Sequence, residues 1–155
     1  MNNVIELITN TEAETCRLAV ELSNYASVGD FFGLSGDLGV GKSVFVRAFL
    51  RALAGDHNLE VPSPTFILVQ AYDSLRIPAS HFDLYRIVDS LEVEELGLEE
   101  AIIDGIVLVE WPDRIVEHRF GDRLMIIIDD ALPGARKITL TGYGTWQERL
   151  ERWRA

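Results

Sequence analysis

A chain of 155 residues with 14 Lys+Arg against 25 Asp+Glu carries a formal charge of −11, which argues against tight, direct binding to a phosphodiester backbone. Its single cysteine, Cys16, leaves no partner for an internal disulfide and fits a reducing compartment, and no apolar run reaches membrane-spanning length. These bounds are those of one cytoplasmic domain over residues 1–155 with no membrane association and no secretory leader, in which Cys16 reads as a small core residue on a helix.

In chain order, Val4 to Ile8 reads as a short strand. Thr11 followed by Glu14 is a capping box, and Leu18, Leu22, Tyr25 and Ala26 form a helical stripe behind it. Gly29-Asp30 turns the chain into an apolar strand, Phe31 to Leu34, which runs into Gly36-Asp37-Leu38-Gly39-Val40-Gly41-Lys42-Ser43. That octet has the phosphate-loop pattern of Gly, four free positions, Gly, Lys, then Ser or Thr. Its glycines let the backbone curl around phosphates, successive N–H groups point into one concavity, and the next helix aims its positive end there. Lys42 adds a full charge near the β and γ phosphates, and the Ser43 hydroxyl suits Mg²⁺. A chain of ordinary composition and this length matches by chance about once in two hundred. A merely flexible glycine turn is the bland alternative. Against it, Phe45, Phe49, Ala52 and Leu53 follow on one helical stripe, with Arg47 and Arg51 opposite and Gly55 as a stop. Strand, helix, strand, loop, helix favours a layered α/β fold.

Val61-Pro62-Ser63-Pro64-Thr65-Phe66 holds two prolines at alternate positions, so it is extended and cannot be helix. Such a stiff loop could present Ser63 and Thr65 to a γ-phosphate or its metal, or could simply be a connector into the strand Phe66 to Tyr72. Ala79 to Tyr85 reads as a strand with Asp83 near its carboxyl end and Arg86 just beyond. Asp89 or Ser90 can cap a helix over Leu91 to Glu95; Gly97 interrupts it and Leu98 to Ile103 resumes. The acids of this span (Glu92, Glu94, Glu95, Glu99, Glu100, Asp104) read as a solvated face. Ile106 to Val109 is an unbroken apolar run, typical of a strand buried on both faces, ending in Glu110-Trp111-Pro112. Arg123 to Ile128 and Arg136 to Thr141 flank Asp129 to Gly134 and read as a hairpin. Trp146, Leu150 and Trp153 mark one face of a C-terminal helix.

Turnover at a phosphate loop needs a cation steadied by an acid at the end of a neighbouring strand, and one or two carboxylates suffice for Mg²⁺. Three apolar runs end in acid: Asp83, Glu110, and Asp129 with Asp130. The third resembles a Walker B strand, but turn chemistry follows at once and accounts for both aspartates. Pattern alone leaves Glu110 and Asp83 tied.

SGDLGVGKS, SPTF, HFDLYR and VEWPDR, in this order and spacing over residues 35 to 114, resemble the bacterial TsaE (YjeE) family, small P-loop ATPases of tRNA threonylcarbamoyladenosine synthesis. Two departures are minor: Ser43 stands for the usual Thr, and Asp113 for the common Glu. The resemblance implies a P-loop NTPase-like three-layer fold, with a mostly parallel central sheet flanked by antiparallel edge strands. It implies ATP or ADP with Mg²⁺ as ligands, Ser43, Glu110 and Asp83 near the metal, and Asp83, Thr65 and Glu110 in hydrolysis. Trp111 would lie near the nucleotide, and base contacts would come from the start of the first helix, where Thr11 stands, and from the loop near residues 130 to 136. The implied partners are TsaD and TsaB, which transfer the threonylcarbamoyl group to adenosine 37 of certain tRNAs, so this chain would meet tRNA only indirectly.

Two other readings compete. A small-molecule kinase would use Asp83 as base, but only Arg76 and Arg86 lie between Phe66 and Glu110, too few for an arginine-rich lid. A binding module would hold nucleotide without hydrolysing it. A GTPase is disfavoured, because no N-K-x-D element is present.

Overall fold

The computed structural model describes residues 3–37, 39–63, 68–89, 91–115 and 120–154. Among these, seven strands form one sheet: β1 (Asn3–Thr9), β2 (Phe31–Ser35), β3 (Val69–Tyr72), β4 (Ala79–Asp83), β5 (Ile106–Glu110), β6 (Arg123–Asp130) and β7 (Arg136–Tyr143). They lie side by side in the order β1-β7-β6-β2-β5-β4-β3. The four central strands, β6, β2, β5 and β4, run parallel, while β7 and β1 on one side and β3 on the other are antiparallel. The strand that feeds the glycine loop therefore sits in the middle of the parallel set, as the family resemblance implied.

Side-chain alternation makes three layers. On one face, Phe32 and Leu34 of β2, Leu108 of β5 and Leu124 and Ile126 of β6 pack under α1 (Glu12–Ser23), α2 (Lys42–Ala54) and α5 (Trp146–Arg154). On the other, Phe31, Phe82, Val107 and Val109 pack under Val93 of α3 (Leu91–Glu95) and Leu98 of α4 (Leu98–Asp104). Every residue of β5 is buried, because the strand has a neighbour on each side and helices on both faces. The acids of α3 and α4 are exposed, as a solvated face requires.

Thr11 caps α1, its hydroxyl accepting the Glu14 amide at 3.1 Å. The return bond of the box falls one residue early: Glu14 takes the amide of Asn10, at 3.1 Å, rather than that of Thr11. Thr11→Ala is expected to cost about 1 kcal/mol of stability, read as a lower urea midpoint at unchanged slope.

Several expectations need correction. Cys16 is half-buried, not a core residue; it lines a groove of about 640 Å³ between α1 and α2. The hairpin strands each run two residues further than their apolar cores, so Asp129 and Asp130 pair with Lys137 and Arg136 instead of forming the turn. Ladder hydrogen bonds carry β6 past its last buried side chain. β4 stops at Asp83, two residues short of Tyr85, where the chain turns into the α3 region. The strand expected over Phe66 to Tyr72 is seen as Val69–Tyr72, its first part lying outside the described residues.

One polar group is buried at the base of β2. Asp30 is fully buried, and Arg149 of α5 donates to both its oxygens, Nη1 to Oδ2 at 2.5 Å and Nη2 to Oδ1 at 2.9 Å. Arg149 also donates to the Tyr25 carbonyl and the Thr145 hydroxyl, joining the end of α1, the start of β2 and the β7–α5 turn.

Candidate functional site: the glycine loop and the carboxyl ends of three parallel strands

The site follows from register. In β4 and β5, Asp83 stands opposite Glu110; in β2 and β5, Leu34 stands opposite Glu110. Partners in a parallel ladder share a face, and the alternation puts both carboxylates on the α1–α2 side, where α2 begins. Its first residue is Lys42. Lys42 is 4 % exposed, and its ammonium donates to the Gly36 carbonyl at 2.5 Å and lies 3.9 Å from the Trp111 ring centroid. Burial pushes that ammonium below the usual lysine range, while Glu110, Asp83, Asp37 and Asp113 pull it back up. Asp83 and Glu110 are 7 % and 6 % exposed, so each charge meets little water.

Trp111 reaches the ammonium by an unusual route. Its backbone is left-handed, φ 61° and ψ 53°, a conformation that costs a bulky residue about 1–2 kcal/mol. This turns the chain sharply at the end of β5, and the Tyr85 ring, 5.1 Å away, packs beside the indole. The Trp111 amide donates to the Leu34 carbonyl, tying the turn to the strand that feeds the loop.

The loop is shaped for close approach. Gly36 has φ 144°, and a Cβ there would stand 2.4 Å from the Ile128 carbonyl oxygen. Gly41, φ 114°, begins α2 with no side-chain cap, which leaves the helix N-terminus to an anion. Arg136 of β7 donates from Nε to the Val40 carbonyl at 2.7 Å and pairs with exposed Asp130 at 3.3 Å, holding the loop from the hairpin side. Asp37 and Gly39 lie on the loop surface and Ser43 is exposed on the first turn of α2. Beside the loop a cavity of about 250 Å³ is lined by Thr11, Thr15, Val40, Gly41, Gly134 and Arg136, among others. It lies between the two segments from which base contacts are implied, although the Thr11 hydroxyl is already engaged in capping α1.

Leu38 and Thr65 lie outside the described residues. The other residues of the expected site converge on the loop, the strand ends and this cavity. Asp129 and Asp130 are exposed at the end of β6, on the hairpin side of the loop, where Asp130 pairs with Arg136. Two functional candidates are not singled out by sequence reasoning. Arg136 gives no local signal. His81 does: it shares the period-2 face of Asp83, and its Nε2 lies 2.6 Å from Glu110 Oε2.

The donors suit Mg²⁺ arriving with a nucleotide. Asp83, Glu110 and Ser43 offer hard oxygens, while among the described residues no group of three or more His, Cys, Asp or Glu could hold an ion alone. Mg²⁺ needs only one or two carboxylates when phosphates complete its shell.

A glycine loop between a parallel strand and a helix, with acids closing the neighbouring strands, defines a P-loop NTPase-like protein. The family model described as threonylcarbamoyl adenosine biosynthesis protein TsaE matches residues 9–138, and the chain belongs to the TsaE family. It is 39% identical over 138 residues to the tRNA threonylcarbamoyladenosine biosynthesis protein TsaE of Bacillus subtilis, a match covering 88% of this chain and 85% of that one. The TsaE protein of Rickettsia felis is 40% identical over 112 residues, 72% of this chain; the matched segment spans 64% of that longer protein. Among solved structures, YdiB of Bacillus subtilis superposes with a TM-score of 0.80 at 30% identity, covering 99% of this chain and 96% of that one. The role that goes with the family is tRNA threonylcarbamoyladenosine biosynthesis.

Proposed function

We propose that this chain is a single-domain, Mg²⁺-dependent ATPase serving threonylcarbamoyl transfer to adenosine 37 of tRNA. The observation that carries the reading is the meeting of Lys42, Asp83 and Glu110 at the carboxyl edge of β2, β4 and β5, on one side of the sheet. In this reading Gly36 to Ser43 and Lys42 hold the phosphates of ATP or ADP. Ser43, Glu110 and Asp83 hold the Mg²⁺, which supplies charge neutralisation at the phosphate oxygens. Thr65 and Asp83 respond to the γ-phosphate, Trp111 flanks the nucleotide, and the cavity at Thr11, Gly134 and Arg136 takes the base. The partners are TsaD and TsaB in the cytoplasm, with tRNA handled by them; a charge of −11 supports that division. Among the described residues no helix is long and apolar enough to cross a membrane.

The test is an ATPase assay with and without TsaD and TsaB, on wild type, Glu110→Gln and Asp83→Asn. Both variants are expected to keep nucleotide binding and to lose about 100-fold or more in turnover, the scale of one lost transition-state contact. Wild-type turnover in both would assign hydrolysis to other residues. Nucleotide binding without turnover, even with both partners present, would leave a binding module.

A further inference from the structure

His81 is 1 % exposed, and its Nε2 lies 2.6 Å from Glu110 Oε2, a short hydrogen bond of the kind an ionised acceptor makes. The bond crosses the ladder diagonally, since His81 stands opposite Leu108 and Glu110 opposite Asp83. Among the described residues, the other ring nitrogen, Nδ1, is buried with no hydrogen-bond partner. An imidazole serving only the polar balance of a core would engage both nitrogens, because a buried unpaired polar atom is unfavourable. Here one edge is left unsatisfied while the other grips a single carboxylate. Glu110 is also the acid that acts most strongly on the Lys42 ammonium. A glutamate has three side-chain torsions, the last of them broad, and nothing in β5 itself fixes where its two oxygens point.

We propose that His81 is a positioning residue for Glu110: its Nε2–H fastens one carboxylate oxygen, so that the other is presented to the Mg²⁺ that accompanies the nucleotide. The inference rests on the nucleotide reading above. It goes beyond it by giving a role to a buried residue to which that reading assigns none. Hydrogen-bonding partners of metal-binding carboxylates commonly alter metal affinity about 10–100-fold when removed.

Calorimetric titration of ADP, at a series of Mg²⁺ concentrations including none, tests this on His81→Leu, His81→Gln, Glu110→Gln and the Leu/Gln double variant. His81→Leu is expected to bind metal-free ADP as wild type does and to raise the Mg²⁺ concentration at half-effect about 10–100-fold. His81→Gln, whose amide N–H reaches the position of Nε2, is expected to recover most of that loss. On the Glu110→Gln background, His81→Leu should add nothing. An unchanged Mg²⁺ dependence in His81→Leu, equal losses in Leu and Gln variants, or additive losses in the double variant would each overturn the proposal. If the Leu variant does not fold, His81→Asn replaces it: Asn carries its amide at Nδ1 reach, so Asn should be impaired and Gln not, and the opposite order would refute the role. A wild-type protein whose ADP affinity ignores Mg²⁺ would instead remove the nucleotide reading, and this proposal with it.

Discussion

Arg149→Ala is expected to destabilise the fold by about 3–5 kcal/mol, the cost of leaving one member of a buried ion pair without the other. Asp30 has no exposed surface, and both its oxygens accept from this one guanidinium. Against a total stability of about 5–15 kcal/mol for a domain, that loss brings the protein close to unfolding. The effect should depend on pH, and its sign follows from Asp30. Burial holds the Asp30 carboxyl above the ordinary aspartate range, while the Arg149 hydrogen bond and charge pull it down. A carboxyl whose folded pKa is raised destabilises the fold above that pKa, and the penalty fades as pH falls towards the unfolded value of about 3.9. Removing Arg149 lifts the folded pKa further. The deficit of the variant is therefore largest near neutral pH and shrinks on approach to about pH 4. Urea unfolding of wild type and variant at both pH values measures it. A deficit that grows on acidification would show that Asp30 is not the group responsible. Replacing both partners, Asp30→Asn with Arg149→Met, should cost less than Arg149→Ala alone.

Lys42→Ala is expected to weaken ATP binding by at least about 1.5–3 kcal/mol, roughly 10–150-fold in Kd, the scale of a charge-assisted contact. Glu110, Asp83, Asp37 and Asp113 all act on this ammonium. Without it those four carboxylates face the incoming phosphates with that positive charge removed. Calorimetric titration with a non-hydrolysable ATP analogue measures the change, and thermal unfolding run alongside separates lost affinity from a lost fold. Unchanged affinity in a folded variant would remove the central assignment of the site.

Much of this was legible because its chemistry is local. The glycine loop announces itself by spacing, and the helix behind it by period. β5 reads as buried because it is apolar at every position from Ile106 to Val109. What stayed tied was the choice between Asp83 and Glu110, and the register explains why: they are cross-strand neighbours, so both belong to the same edge. Long-range polar pairs were not legible. Asp30 and Arg149 are 119 positions apart, and Arg136 and Val40 are 96 apart; no periodicity links such residues. His81 was half legible, its face given by alternation but its bond to Glu110 decided by how β4 and β5 slide past one another. Cys16 departs from its expected core place because residue type alone does not say which side of a helix a cysteine takes, and here it faces the groove.

Lys42 already has occupation: a carbonyl at one end of its loop and an indole face above it. A nucleotide arriving at this loop meets no vacancy and must trade with what the lysine holds. The affinity that any titration reports is then a difference between two sets of contacts, and substitutions at Trp111 will tune it without removing a single bond to phosphate.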